Sequence, residues 1–360
     1  MSEFAAALVR WQRQFGRKDL PWQLEPTPYR VWVSEIMLQQ TQVVTVIDYY
    51  QRFMQAFPSV TALAAAELDD VLHHWTGLGY YARGRNLHKS AQAIVEQYNG
   101  ELPTQQDELE ALPGIGPSTA GAIRALSQNQ RGVILDGNVK RVLARHEAVH
   151  GFPGLRSVSQ HLWEVATTLT PEKNVATYTQ AIMDLGAMIC TRKQPKCGEC
   201  PVQTTCKGLA ANQVATLPTP KPKQAKPSRS AKFFLIMNAA EEVLLEQRPP
   251  MGLWGGLWAP LQYPQDSDPL LVLAELGFSE TQIGDVATAA SFKHTFTHFH
   301  LIATPVYVTV TKHPLMIAEH GRGWHSLQDL LSRNGAPRQI GLPKPAVMML
   351  TDLASRLNND

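Results

Sequence analysis

All four cysteines of this 360-residue chain fall in one short stretch. Cys190, Cys197, Cys200 and Cys206 are spaced C-x6-C-x2-C-x5-C. Bridging cysteines are usually spread through a small secreted domain, so this crowding reads as a metal site and not as a disulfide framework. A single zinc ion favours two C-x2-C knuckles separated by a longer loop, and only one close pair exists here. Four thiolates on a winding segment suit a 4Fe–4S cubane, in which each iron takes one cysteine. Arg192, Lys193, Lys196 and Lys207 interleave with these ligands against a single acid, Glu199. Such a loop suits docking on phosphates, although a structural staple with incidental lysines fits the same residues.

Two carboxylates stand in contrasting surroundings. Glu35 is the only charge between Arg30 and Asp48, set among Val31, Trp32, Ile36 and Leu38. Desolvation there is expected to raise its pKa towards neutrality. Asp136 follows the apolar run Val133–Leu135 and precedes an amphipathic basic segment ending near Arg145. That is an N-cap position, where the helix dipole and free N–H groups favour the ionised form. One acid held protonated and one held ionised is the pairing that glycosidic cleavage needs. A buried helix edge and a plain cap are the structural alternatives for the two residues.

The elements that must position these groups are legible as periodicity. Over 1–210, apolar residues recur at helical spacing with short polar breaks, as in Val43–Phe57, Leu68–His74, Leu87–Tyr98 and His161–Leu169. Between Leu112 and Ile123 lies a G-x-G turn, with Gly114 and Gly116 expected to allow positive φ and close approach to a ligand. Pro117 then opens a second helix whose free N–H groups would face an anion, a DNA phosphate being the natural occupant.

Composition shifts after this helical half. The run Leu217–Ser230 is rich in proline and cations and reads as a linker, not as a helix or central strand. Strand-like runs follow at Phe233–Asn238, Val243–Glu246 and Leu301–Val310, with helices at Pro269–Leu276 and Pro345–Leu357. The expected division is a helical domain over 1–212, including the cysteine loop 190–206, a linker over 213–230 and an α+β domain over 231–360. Residues 1–229 hold 24 basic and 19 acidic residues, and the remainder holds 9 and 12. This excess permits nucleic-acid binding without demonstrating it. No apolar run is long enough to span a membrane and the N-terminus lacks signal-peptide character, so a soluble chain in a reducing compartment is expected.

The cysteine spacing, the hairpin, Asp136 and the Glu35 helix together resemble the endonuclease III superfamily of helix–hairpin–helix DNA glycosylases. The runs Ser34–Val43, Trp75–Arg83 and Ile134–Arg141 resemble its adenine-excising branch, over nearly the whole chain. The resemblance implies a mainly α glycosylase domain with one 4Fe–4S cluster, acting on double-stranded DNA that carries adenine opposite 8-oxoguanine or guanine. It implies that Glu35 protonates the flipped adenine and that Asp136 stabilises the oxocarbenium-like sugar, with Tyr80 and Asn138 nearby. Gln39, Gln40 and Tyr80 would contact or fill the base stack, Trp22 and Gln23 would line the adenine pocket, and Gly114, Gly116, Ser118 and Lys140 would meet DNA. Lyases of the superfamily carry a Schiff-base lysine where Ser118 stands. A monofunctional hydrolase is therefore expected, with an endonuclease III-like pyrimidine glycosylase–lyase as the alternative. A monomer working on the bacterial nucleoid, in the cytoplasm, is the simplest expectation.

The run Val243–Trp258 resembles the entry to a Nudix domain. Nudix hydrolases need a helix rich in glutamate to bind magnesium, and Leu270–Phe278 supplies only Glu275. A fold retained for recognition is expected, with Phe296, Thr297 and His298 as the triplet facing the oxidised guanine. Where the family usually has serine, this chain has Thr297. His294, His298 and His300 also admit a metal reading, which strand spacing disfavours.

Overall fold

The computed structural model describes residues 1–222, 225–250, 252–311, 321–332 and 340–357. Lys223 and Gln224 of the linker and Met251 of the Nudix-like entry run lie outside these. The chain forms two compact units, Met1–Ala65 with Asn86–Lys223, and Ala66–Arg85 with Gln224–Asp360. The division departs from the one drawn on sequence, because residues 66–85 make their tertiary contacts within the second unit.

The first unit is helical. Ser2 caps the helix Glu3–Phe15, and Thr27, followed by proline, caps Pro28–Leu38. Val43–Ala56 ends one residue short of the expected Val43–Phe57, and Arg156–Leu169 starts five residues before the expected His161. Pro117–Gln128 opens at the expected proline, and Gly137–His146 and Val175–Asp184 follow. Leu8, Val139, Leu143, Leu162, Tyr178, Ile182 and Leu185 build one core. Each fully buried side chain of this kind contributes roughly 1.5–3 kcal/mol. Beside it, Asp184 is 0% exposed in its side chain and pairs with Arg17 at 2.7 Å. The helix Pro28–Leu38 packs on Pro117–Gln128, which brings Glu35's segment against the hairpin.

The second unit is built on a sheet of seven described strands: β1 (Ser228–Asn238), β2 (Glu242–Gln247), β3 (Trp258–Pro264), β4 (Ile283–Thr288), β5 (Phe292–Thr295), β6 (His300–Val310) and β7 (Arg322–Ser326). They are ordered β4-β6-β1-β3-β2-β7, with β5 also on β6. Strand β1 runs parallel to β6 from Ser228↔His300 to Asn238↔Val310. Ser228–Ser230, read on sequence as linker, are thus strand; cross-strand pairing outweighs their polar composition. Phe233 and Leu235 enter one core and Phe234 and Ile236 another, as a central strand covered on both faces requires. Residues 66–85 join the first of these cores through Leu72. Asp69 accepts from Trp258 Nε1 at 3.3 Å and Gln247 Nε2 at 3.2 Å, and Tyr81 Oη donates to the Leu342 carbonyl at 2.9 Å.

Candidate active site and cysteine loop

Glu35 lies in the last turns of Pro28–Leu38, whose Val31, Trp32, Val33, Ile36 and Met37 are buried. Its residue surface is partly open, but its carboxyl sits deep enough for the pKa to be pushed up to about 8. Desolvation is the main cause, and the charge of Asp136 is the second. The structure therefore brings together two carboxylates separated by a hundred residues of chain.

Asp136 is the N-cap of Gly137–His146, and its Oδ1 accepts from the Val139 N–H at 2.8 Å. The capping N–H groups do favour the ionised form, as the sequence implied, but they do not decide the net shift. Desolvation raises it above the ordinary aspartate value, opposed by the N–H groups of Val139 and Asn138 and by Arg141 and Lys140. Asp136 is thus surrounded by donors and cations that Glu35 lacks. The contrast between the two acids survives as a difference in what opposes burial.

The hairpin supports this arrangement. Gly114 has φ +82°, and a Cβ there would lie 2.9 Å from the Asn86 Cβ, so both conformation and space demand glycine. Gly116 differs from expectation: as N-cap of Pro117–Gln128 it has φ −100°, open to any residue, and only the free space around it favours close approach by a ligand. Ser118 Oγ accepts from the Leu135 N–H at 3.0 Å.

All four cysteines are free and line a single pocket with Ile189, Pro195 and Arg145. Burial pushes the Cys200 thiol up to about 11, and Cys190, Cys206 and Cys197 each add to the rise, so the four sulfurs converge. Among the described residues no three His, Cys, Asp or Glu side chains close on a single-ion site. Four thiols on one pocket supply one ligand for each iron of a cubane, so these residues fit the group. A π-helical turn, Leu185–Ile189, delivers Cys190. Its carbonyl accepts from Arg141 Nε at 2.8 Å and from Arg145 Nη1 at 3.4 Å, and Arg145 Nη1 also lies 3.4 Å from the Cys190 sulfur. Arg145, 3% exposed, donates further to the carbonyls of Thr191, Arg192 and Leu217. Arg141 also donates to Asn138 Oδ1 at 2.9 Å and to the Gly186 carbonyl. The helix capped by Asp136 is thereby bolted to the cysteine loop.

Comparison with known proteins agrees with this geometry. Residues 33–167 match the HhH-GPD superfamily of base excision DNA repair proteins, and residues 232–347 match the NUDIX domain. A thermostable thymine-DNA glycosylase shares the fold of the first part, with TM-score 0.53 and 25% identity over 58% of this chain and 95% of that one. Adenine DNA glycosylase of Buchnera aphidicola (subsp. Baizongia pistaciae) is 35% identical over 350 residues, 97% of this chain and 96% of that one. The chain belongs to the adenine DNA glycosylases. The human adenine DNA glycosylase is 36% identical over 311 residues, 72% of this chain and 57% of that one.

The remaining residues marked on sequence are placed unevenly in this adenine DNA glycosylase. Asn138 follows Asp136 and gives it a backbone N–H, while its side chain turns to Arg141. Lys140 lies one turn along the same helix. Gln39 Nε2 is 3.5 Å from Thr119 Oγ1, and Gln40 is exposed with φ +57°. Trp22 is buried edge-on against Tyr50 of the helix Val43–Ala56 at 5.4 Å, and Gln23 Oε1 accepts from the Leu20 N–H, which holds its own turn. Tyr80 belongs to the second unit. It is 46% exposed, has φ +49°, and Arg83 lies over its ring.

Phe296 stacks on Phe299 at 4.7 Å and 16°, and its N–H donates to the Phe299 carbonyl, closing the turn between β5 and β6. Thr297 and His298 are exposed at its tip. His294 packs edge-on against Phe296, and His300 Nδ1 is 3.0 Å from Thr295 Oγ1; among the described residues neither joins a metal-binding group. Sequence reasoning missed Arg141 and Arg145. Their i, i+4 spacing was the available signal, since it puts both on one face of the Asp136 helix.

Proposed function

We propose that the protein hydrolyses the N-glycosidic bond of adenine paired with 8-oxoguanine, or with guanine, in double-stranded DNA and leaves an abasic site. The reading rests on the pKa of Glu35, raised to about 8 beside Asp136. At neutral pH Glu35 holds a proton and donates it to N7 of the flipped adenine as the bond electrons pass to the base. The Asp136 carboxylate stabilises the positive sugar, water adds to C1′, and Glu35 takes the proton that water releases. Asn138 supports Asp136. Tyr80, Gln39 and Gln40 offset the cost of unstacking, Trp22 and Gln23 shape the adenine pocket, and Gly114, Gly116 and Lys140 meet the backbone. Phe296, Thr297 and His298 address the oxidised guanine. Cys190, Cys197, Cys200 and Cys206 hold one 4Fe–4S cluster, which supplies bonds that pin the docking loop. Ser118 offers no amine for a Schiff base, so no strand is cut. The protein acts as a monomer in the cytoplasm.

Purified protein incubated with such a duplex is expected to release adenine, with strand breakage appearing only after alkali. Absent release, or unimpaired release by Glu35→Gln, overturns the reading. Breakage without alkali favours the pyrimidine glycosylase–lyase alternative.

A further inference from the structure

The turn between β5 and β6 carries Thr297 and His298 at its exposed tip, and residues around the start of β1 hold that turn from outside. Lys226 Nζ donates to the Phe296 carbonyl at 2.9 Å. Pro227 offers its carbonyl to the His300 N–H at 2.9 Å, which docks the chain on the outgoing stem of the turn as the β1–β6 ladder begins. Arg229 lays its guanidinium over the Phe299 ring, 4.8 Å from the centroid. On the inner side the Phe296 ring lies 6.4 Å from that of buried Trp254.

The sequence makes this reach available. A residue before proline is kept extended, so the backbone of Lys226 already follows the direction that Pro227 and Ser228 continue. Residues 291–301 contain no aspartate or glutamate, so the acceptor this segment offers a lysine is a backbone carbonyl. A peptide unit is planar, with its C=O and N–H on opposite sides. Holding the Phe296 carbonyl therefore also fixes the direction of the Thr297 N–H. The Phe296 N–H is engaged by the Phe299 carbonyl, so the bond from Lys226 fixes the peptide through which the chain enters the tip. Arg229 acts on the other limb, since Phe299 stacks on Phe296 at 4.7 Å and a guanidinium over its face holds the pair in place.

We infer that Lys226 and Arg229 are positioning residues for the turn from Phe296 to Phe299, and that by aiming Thr297 and His298 they set discrimination between 8-oxoguanine and guanine opposite adenine. The inference rests on the reading above that this turn addresses the oxidised guanine. The two bases differ by a carbonyl oxygen on C8 and a hydrogen on N7. Telling them apart depends on the direction of a few polar groups, more than on bulk.

The test measures the affinity of full-length protein for duplexes in which an uncleavable carbocyclic adenine nucleoside stands opposite 8-oxoguanine or opposite guanine. Lys226→Met keeps an apolar stem and removes the donor. It is expected to narrow the preference for 8-oxoguanine about 3- to 10-fold, with affinity for the guanine duplex close to parental. Lys226→Arg keeps a donor and should restore most of the preference, and Arg229→Gln should narrow it in the same direction as Lys226→Met. Lys232→Met is the matched control: Lys232 lies on the same strand and donates to the Ser267 carbonyl at 2.7 Å, and the preference should survive its loss. An unchanged preference in Lys226→Met, or a narrowing that Lys226→Arg fails to reverse, overturns the inference. So does an equal loss on both duplexes with a shallower salt dependence, which marks Lys226 as a phosphate contact. A parent protein that binds both duplexes alike overturns the reading of the turn, and the inference with it, so the two failures are distinguished.

Discussion

Ser118 Oγ receives the N–H of Leu135, the residue before Asp136, at 3.0 Å. The second hairpin helix thereby fixes the chain at the point where the catalytic carboxylate emerges. Ser118→Ala leaves the N–H of buried Leu135 without its acceptor, at a cost of about 1–3 kcal/mol. Urea titration is expected to show that loss, with slower adenine release, and Ser118→Thr should restore both. Unchanged release by the alanine variant would remove Ser118 from the positioning of Asp136.

The raised pKa of Glu35 sets two opposite pH responses in one residue. Its acid form is needed for bond cleavage, so single-turnover adenine release should decline as pH rises through about 8. Glu35→Gln should lower the rate about 10²–10⁴-fold. Between the ordinary carboxyl value of 4.5 and about 8, the folded protein keeps a proton that the unfolded chain has lost. Stability contributed by this group is thus full below 4.5 and falls as pH rises towards 8. Glu35→Gln removes that dependence and should raise the melting temperature at pH 8. A lower melting temperature there would contradict the assignment.

Arg145 is expected to be indispensable to the cysteine loop. Arg145→Met removes the donor to the carbonyls of Thr191, Arg192 and Leu217, at a cost of about 3 kcal/mol or more. Iron and acid-labile sulfide should each stand at about four per chain in the parent protein and fall in the variant. One zinc per chain, without sulfide, would overturn the cluster.

Asp69 joins residues 66–85 to the sheet through Trp258 and Gln247. Asp69→Ala should cost about 1–3 kcal/mol, and hydrogen exchange should rise over 66–85 together with β2 and β3. Faster exchange in the helical unit alone would argue against the grouping found here.

Phe296→Ala removes the ring that stacks on Phe299 beneath the exposed Thr297 and His298. Preference for 8-oxoguanine over guanine opposite adenine should narrow, while single-turnover release from the guanine mispair stays close to parental. Equal losses on both substrates would remove this turn from partner recognition.

What the sequence made legible was local. The cysteine spacing, the G-x-G turn and the apolar setting of Glu35 each lie within a dozen or so residues, so pattern alone located them. Arg141 and Arg145 escaped because a basic face on an amphipathic helix reads as solvated until its partner loop is in place. The rise at Asp136 escaped for a related reason: capping is visible in sequence, whereas desolvation depends on what packs around the cap. Residues 66–85 have helical periodicity like their neighbours, and only contacts with Trp258 and Leu342, far along the chain, assign them to the other unit. Ser228–Ser230 became strand through pairing with β6, seventy residues away.

The parallel ladder between β1 and β6 has a mechanical consequence. Strand β1 takes up the chain directly from the proline-rich run and is hydrogen-bonded along its length to β6, from Ser228↔His300 to Asn238↔Val310. Tension drawn through that run therefore loads the rungs together in shear, along the strand axis, and does not peel them one by one. A pull on that end of β1 is therefore shared among the registered pairs of the whole ladder.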